Sequence, residues 1–301
     1  MLMKIVIKPP YNFELSLGFL TKDENHPSPE FKNDGNLWRI FRINDKSIPV
    51  KISSIGTVEN PALKISTTEI SQKGKSELKK KAEQYLNFNE DLSELYAFMN
   101  KNEKLREIKK ELYGFKAPTM GTTIYEMIIK AIIQQQIAGR IAFYMASKIV
   151  RKFGECIIFE GEEYYGFPSS ETFAKLSISD LRGCSVSERK AEYIINFSKE
   201  IANHRFDPEM VREWSLEKIV EQLTAFRGIG KWTAELIAAS IGKGRGPADD
   251  LGLKKAFSEF NFDENLQENR ELISIPRSLS VYMVYAHRRR ILKSVKGVME
   301  K

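Results

Sequence analysis

The chain has 301 residues, of which 42% are apolar and 29% charged, which is enough material for two or three compact units of a soluble globular protein. A formal charge of +7 suits a polyanionic partner, although a lysine-rich solvated surface would give the same balance. Cys156 and Cys184 cannot supply the four thiolates of an iron–sulfur cluster, and His26, His204 and His287 are too scattered for a zinc site, so no catalytic transition metal is expected.

The amino terminus meets Pro9-Pro10 before any long apolar run forms. That predicts neither a secretory signal nor a membrane span, and an intracellular, cytoplasmic protein, nucleoid-associated in a prokaryote. Short apolar and β-branched runs at Lys4 to Lys8, Leu37 to Ile43 and Ser47 to Ile55, broken by Pro, Asn, Asp and Gly, predict an antiparallel sheet over residues 1 to about 70. From about 71 a lysine-rich stretch, Lys73 to Lys81, introduces helical periodicity that continues to the carboxyl terminus.

Ile124, Met127, Ile128, Ala131 and Ile132 predict one helix, and Ile137, Ile141, Met145 and Ile149 a second. The polar triplet Gln134-Gln135-Gln136 forms the corner between them. Ser185 and Glu188 read as a capping box ahead of a helix through Ala202, and Ser215 caps a helix carrying Leu216, Ile219, Val220 and Leu223.

That helix leads into Thr224-Ala225-Phe226-Arg227-Gly228-Ile229-Gly230-Lys231-Trp232-Thr233. Two glycines flanking one apolar residue permit a tight turn without side chains near a ligand. The next helix, with Ala234, Ile237, Ala238 and Ile241 in register, points its amino-terminal dipole the same way, so Gly228, Ile229, Gly230 and Lys231 outline a phosphate site made largely of backbone NH groups. Gly242 stops this helix, and Pro247-Ala248-Asp249-Asp250 precedes another with Leu253, Ala256, Phe257 and Phe260 on one face. A final helix from about Pro276 aligns Leu279, Tyr282, Met283 and Ala286 and is expected to end in a solvated His287-Arg288-Arg289-Arg290 run.

The hairpin, together with Phe88-Asn89-Glu90-Asp91-Leu92, Ala131 to Ile137, Phe167-Pro168-Ser169, Ser187 to Tyr193 and Pro276-Arg277-Ser278-Leu279 in the same order, resembles the helix-hairpin-helix (HhH-GPD) DNA glycosylase superfamily, 3-methyladenine DNA glycosylase II type. The resemblance covers roughly residues 86 to 290. It implies an α+β protein: a mostly helical two-subdomain core behind an amino-terminal antiparallel β-sheet domain like half of a TATA-binding protein. The expected division is a β-rich domain at 1–85, a helical subdomain at 86–118 plus 243–301 carrying the catalytic aspartate, and a helical subdomain at 119–242 carrying the hairpin.

The implied activity is hydrolysis of the N-glycosidic bond of an alkylated purine in double-stranded DNA, by a monomer without an iron–sulfur cluster. Aligning Leu251 to Ala256 with the family's helix puts Asp250 at the catalytic position and Asp249 at a variable one, while Asp250 also suits a helix cap. Trp232 occupies the position of the lysine that gives some relatives a lyase step, and Lys231, one residue away, is directed to phosphate or solvent. Trp232 and Tyr285 match base-pocket positions, with core packing the alternative for each, and Leu236 replaces an aromatic of one well-known member. Gln136 falls where relatives insert a side chain into the gap left by a flipped nucleotide, or it simply closes a helix corner. The carbonyls of Thr224, Phe226 and Ile229 match a monovalent-cation site for Na+ or K+. Two other readings of the chain are an 8-oxoguanine glycosylase with lyase activity and a non-catalytic binder of damaged DNA.

Overall fold

The computed structural model describes residues 1–20, 30–33, 35–44, 46–244, 251–260 and 276–299. Strands β1 (Leu2–Val6), β2 (Glu30–Asn33), β3 (Asn36–Ile43), β4 (Lys46–Ser54) and β5 (Ala62–Thr67) form an antiparallel sheet in the order β1-β5-β4-β3-β2. Alternation along β3 decides what each face meets. Leu37, Phe41 and Ile43 turn to a core closed by helices α1 (Phe13–Leu20) and α2 (Gln72–Leu86), while Trp38 and Ile40 turn the other way, onto Tyr164.

Helix α2 contains the Lys73 to Lys81 stretch where the sequence pattern had only begun to change. Leu78, Ala82 and Tyr85 face the sheet, and of the lysines Lys81 reaches back to it, donating to the Arg42 carbonyl of β3 at 2.6 Å. Tyr164 belongs to a β-hairpin, β6 (Cys156–Phe159) and β7 (Glu162–Tyr165), which interrupts the helical series expected to run unbroken. Its apolar residues are too few and too local to register as a strand pair in the sequence.

Two further cores are helical. One gathers α3 (Ser93–Met99), α4 (Glu103–Glu111), α12 (Leu251–Glu259) and α13 (Pro276–Met299) around Leu105, Ile108, Phe115, Phe257, Tyr282 and Met283. The other packs α5 (Ile124–Gln134), α6 (Gly139–Phe153), α7 (Ser170–Lys175), α8 (Ile178–Arg182), α9 (Glu188–Ala202), α10 (Leu216–Thr224) and α11 (Lys231–Ser240), with a 3-10 turn at Pro208–Glu213. Among the described residues no helix is long and apolar enough to cross a membrane.

Three local expectations are corrected. Ser187, not Ser185, caps α9: its hydroxyl accepts from the Lys190 amide, and Ser185 sits at a left-handed φ of 69°. The capping box is instead at Ser177 and Asp180, ahead of α8. On α6 the buried stripe is Ala142, Ala146, Ile149 and Val150, one position on from the expected one, so Ile141 is exposed. Finally, α13 continues past the basic run. There His287 and Arg290 pair with Glu259, and Arg289 pairs with Glu111, so the run is half-buried at a helix–helix seam.

The sheet is fastened to α5 by four buried charges. Arg39 of β3 meets Glu30 of β2 at 2.6 Å and Glu126 of α5 at 2.5 Å, and Lys130, one turn after Glu126, reaches both carboxylates at 2.8 Å. Lys130 also donates to the Met120 carbonyl, and Glu126 accepts from the Thr122 amide. Burial opposes the charge on Glu30, but Lys130 and Arg39 outweigh it and hold the carboxyl at about 2, below its ordinary 4.5.

Because the folded value is the lower one, this stabilisation is complete above about pH 4.5 and is lost as pH falls toward 2. Denaturant titrations at stepped pH should show about 3 kcal/mol of acid destabilisation across that window. Glu30→Gln should lose the Glu30 share of this acid limb while Glu126, held against burial below its ordinary value by Arg39 and Lys130, keeps its own. The variant should be about 3–5 kcal/mol less stable at pH 7, because the two cations then share one counter-charge.

Candidate nucleic-acid interface

Helix α10 starts at Ser215, whose side chain accepts from the Lys218 amide, and buries Ile219 and Leu223. Phe226 ends the turn that follows, packed edge-on against Phe197 and Phe206 with centroids 5.0 and 4.9 Å away. The Ile229 amide donates to the Phe226 carbonyl at 3.0 Å, and the buried Ile229 side chain pins the loop to the core.

Only one of the two glycines is needed for its dihedrals. Gly228 has φ 95°, and a Cβ there would lie 2.2 Å from ring atoms of Tyr193. Gly230 has an ordinary φ of −91°, and a Cβ there would meet nothing within 4 Å. Gly230 caps α11 without a side-chain acceptor. The first-turn amides of a ten-residue helix therefore have no capping oxygen from Gly230, an arrangement suited to an anion.

Tyr193 is the floor of the hairpin. Its hydroxyl accepts from Arg189 Nε at 2.5 Å, and the guanidinium of Arg227 lies 5.7 Å from its ring centroid while pairing with Glu192 at 2.8 Å. Lys231 is exposed, 3.7 Å from Glu235, and Trp232, the next residue on the first turn of α11, is half-buried. Leu236 packs against the helical core.

The polar triplet makes a built corner. Gln134 ends α5, and Gln136 is exposed at a left-handed φ of 57°. Gln135 Nε2 donates to the Gly228 carbonyl at 2.8 Å and to Thr233 Oγ1 at 3.0 Å, bridging corner and hairpin. From α9, Lys190 donates to the carbonyls of Ile133 and Gln135 at 2.8 and 2.6 Å, and burial pushes its ammonium below the ordinary lysine value. Gln135, Lys190 and Tyr193 lie in segments that carry the resemblance, Ala131 to Ile137 and Ser187 to Tyr193, but sequence reading assigned them no role. The local signal for Gln135 was a run of three amides at an abrupt break in helical periodicity.

Tyr285 lies elsewhere. Its ring is buried against Phe115 and Phe19, with centroids 4.8 and 5.5 Å away, and its hydroxyl donates to the Leu15 carbonyl of α1. Among the described residues its contacts are those of a packing residue of the carboxy-terminal core, the alternative reading of that position. Asp249 and Asp250 lie outside the described residues. Helix α12 begins at Leu251, so Asp250 is the residue immediately before it in the chain, and Leu253, Ala256, Phe257 and Phe260 are buried as one face. Of the three expected cation-ligating carbonyls, that of Phe226 already accepts the Ile229 amide and retains a lone pair.

The model of the family described as HhH-GPD superfamily base excision DNA repair protein matches residues 129–275. A 3-methyladenine DNA glycosylase from Archaeoglobus fulgidus is similar in structure, with 32% identity and a TM-score of 0.84 over 95% of this chain and 98% of that one. The chain belongs to the HhH-GPD superfamily. A DNA-3-methyladenine glycosylase of Bacillus subtilis (strain 168) is 25% identical over 254 residues, 83% of each HhH-GPD chain. A Clostridium acetobutylicum 8-oxoguanine glycosylase/lyase in complex with DNA shares the fold, with a TM-score of 0.72 at 18% identity.

The two glycines of this HhH-GPD hairpin should separate on substitution. Gly228→Ala should cost about 2–5 kcal/mol, from a disfavoured dihedral plus overpacking on Tyr193, and should abolish duplex binding. Gly230→Ala should cost about 1 kcal/mol or less and leave the fold intact. Thermal melts and fluorescence-anisotropy titrations with a duplex report both effects.

Proposed function

We propose that this protein is a monofunctional DNA glycosylase of base excision repair that hydrolyses the N-glycosidic bond of alkylated purines, 3-methyladenine in type, in duplex DNA. The reading is carried by similarity along nearly the whole chain to a 3-methyladenine DNA glycosylase. It is supported by the indole of Trp232 at the position where a lyase needs an amine. DNA is the partner, and the protein works as a monomer.

The backbone amides from Gly230 onward take a phosphate of the damaged strand, with Lys231 beside them. Gln136, exposed at its corner, fills the gap left by the flipped nucleotide. Flipping costs a few kcal/mol and is cheapest where alkylation has weakened pairing. Trp232 offers an aromatic face to a cationic base, worth about 0.5–2 kcal/mol.

Asp250 is the catalytic residue, placed beside the sugar. As the N-glycosidic bond breaks, its electron pair neutralises the cationic base, which leaves without a general acid. Positive charge spreads over C1′ and the ring oxygen, where the carboxylate stabilises it. Water then bonds to C1′ and loses a proton, leaving an abasic site. The amino terminus of α12 favours the ionised carboxylate.

A monovalent cation on the carbonyls of Thr224, Phe226 and Ile229 would fix the hairpin and add positive field toward the phosphate. The donors are neutral oxygens, and the described residues hold no cluster of acidic, histidine or cysteine ligands, which suits Na+ or K+ rather than a divalent ion.

Base release from methylated duplex DNA, followed by mass spectrometry of the free bases, tests this function. Wild type should release 3-methyladenine, and Asp250→Asn should do so about 10²–10³-fold more slowly. Borohydride should trap no covalent adduct. Release of 8-oxoguanine with strand nicking would replace the assignment with a lyase, and binding without release of any base would reduce it to a damage binder.

A further inference from the structure

The Gln135 amide holds two elements that the proposed function uses separately. Its Nε2 carries two hydrogens, one directed to the Gly228 carbonyl and the other to the hydroxyl of Thr233 in the first turn of α11. The Gly228–Ile229 peptide is thereby gripped at both ends, its carbonyl by Gln135 and its NH by the Phe226 carbonyl. Two dihedrals are also committed on either side of the contact, Gly228 at φ 95° and Gln136 at φ 57°. Lys190 adds a third anchor by bonding the Gln135 carbonyl itself. The residue before the exposed Gln136 is thus tied at its side chain to the phosphate-binding turn and at its backbone to α9.

We propose that Gln135 is a positioning residue that transmits phosphate docking at the hairpin to the seating of Gln136 in the duplex. The inference rests on the functional reading above. A phosphate drawn onto the α11 amides fixes the Gly228 peptide and Thr233, and through the forked amide it fixes where the corner projects. Without the fork, the hairpin still binds backbone and the corner still exists, but their relative placement rests only on core packing and the Lys190 bonds. Losing such alignment costs rate rather than affinity, since a misplacement of about 1 Å can cost on the order of 10²-fold.

The test compares Gln135→Ala, Gln135→Glu, Thr233→Val and Gln136→Ala in the full chain. Gln135→Glu keeps the shape of the side chain and cannot donate, and Thr233→Val removes one acceptor, so a folding failure of one variant leaves another to decide. Affinity for an undamaged duplex should stay within about twofold, while single-turnover base release falls roughly 10–100-fold in the Gln135 variants and less in Thr233→Val. The fluorescence rise of 2-aminopurine next to the lesion should shrink in parallel. Amide exchange in the free protein should quicken together at Ile137, Ile229 and Ala234 in the Gln135 variants, and at none of these in Gln136→Ala.

Base release by Gln135→Ala within twofold of wild type, with unchanged flipping amplitude, would overturn the coupling. So would faster exchange confined to one of the two segments. If wild type released no base from any lesion, the glycosylase reading would fall, and the exchange measurement would still decide whether Gln135 joins corner to hairpin.

Discussion

Four charges buried between sheet and helix hold the frame from which the site is built. Two carboxylates and two cations leave the cluster neutral, and Arg39 bridges the strands to α5 while lying over the ring of Tyr85 at 4.8 Å. An apolar contact of equal area would bind as well but would tolerate sliding, whereas a guanidinium that must meet Glu30 and Glu126 at once accepts one register. Helix α5 is eleven residues, about 16 Å, long. Its amino-terminal half is fixed by the ion cluster, and the chain beyond its carboxyl end carries Gln135 into the hairpin. The sheet thus contributes to the interface without touching it, by removing the freedom of the helix that presents the corner.

The interface is basic in a selective way. Several of the 47 lysines and arginines are paired locally, as with Arg227 on Glu192 and Arg289 and Arg290 of α13 on Glu111 and Glu259. What remains at the hairpin is a backbone device: amides at the start of α11 and one exposed lysine. Amides cannot be neutralised and are already oriented, so the proposed phosphate contact would avoid the entropy cost of ordering long side chains. Tyr193 supports that device from below, and its contact with Gly228 explains why one glycine of the pair is sterically required while the other simply leaves space.

Much of this was legible in the sequence, for identifiable reasons. The α10–hairpin–α11 unit, the stop at Gly242, the start of α13 and the buried face of α12 all follow from local signals: caps, glycines and helical spacing. Strands β3 and β4, and β1 with its bounds two residues off, were legible because apolar and β-branched residues cluster there, whereas β5, which pairs with β1 across most of the domain, was not picked out. The ion cluster was illegible because its members are far apart in the chain and look like surface residues until the sheet is folded. For Tyr285 the sequence offered a base pocket or core packing, and the contacts of its ring and hydroxyl with Phe19, Phe115 and the backbone of α1 became legible only in the fold. Gln135 was visible only as one of three amides, and what it does depends on a hairpin more than ninety residues away.

The exit from α11 links the hairpin to the acid. The amides of Ile241, Gly242 and Lys243 close the helix on the carbonyls of Ala238 and Ala239, with Gly242 in the left-handed region, and Lys243 Nζ then bonds the Trp214 carbonyl at 2.5 Å. Gly244, at φ 90°, passes against Leu216, so the chain is directed by the same helix pair that builds the hairpin. Only residues 245–250 separate this fixed exit from the first residue of α12, whose apolar face is sunk in the other helical core. The two ends of that short link are therefore anchored in different cores. An electrostatic catalyst gains most when its charge is positioned before the substrate arrives, because reorganisation is then already complete. The proposed electrostatic role calls for such preorganisation, and the two described ends, Gly244 beside Leu216 and α12 in its core, are each held by packing.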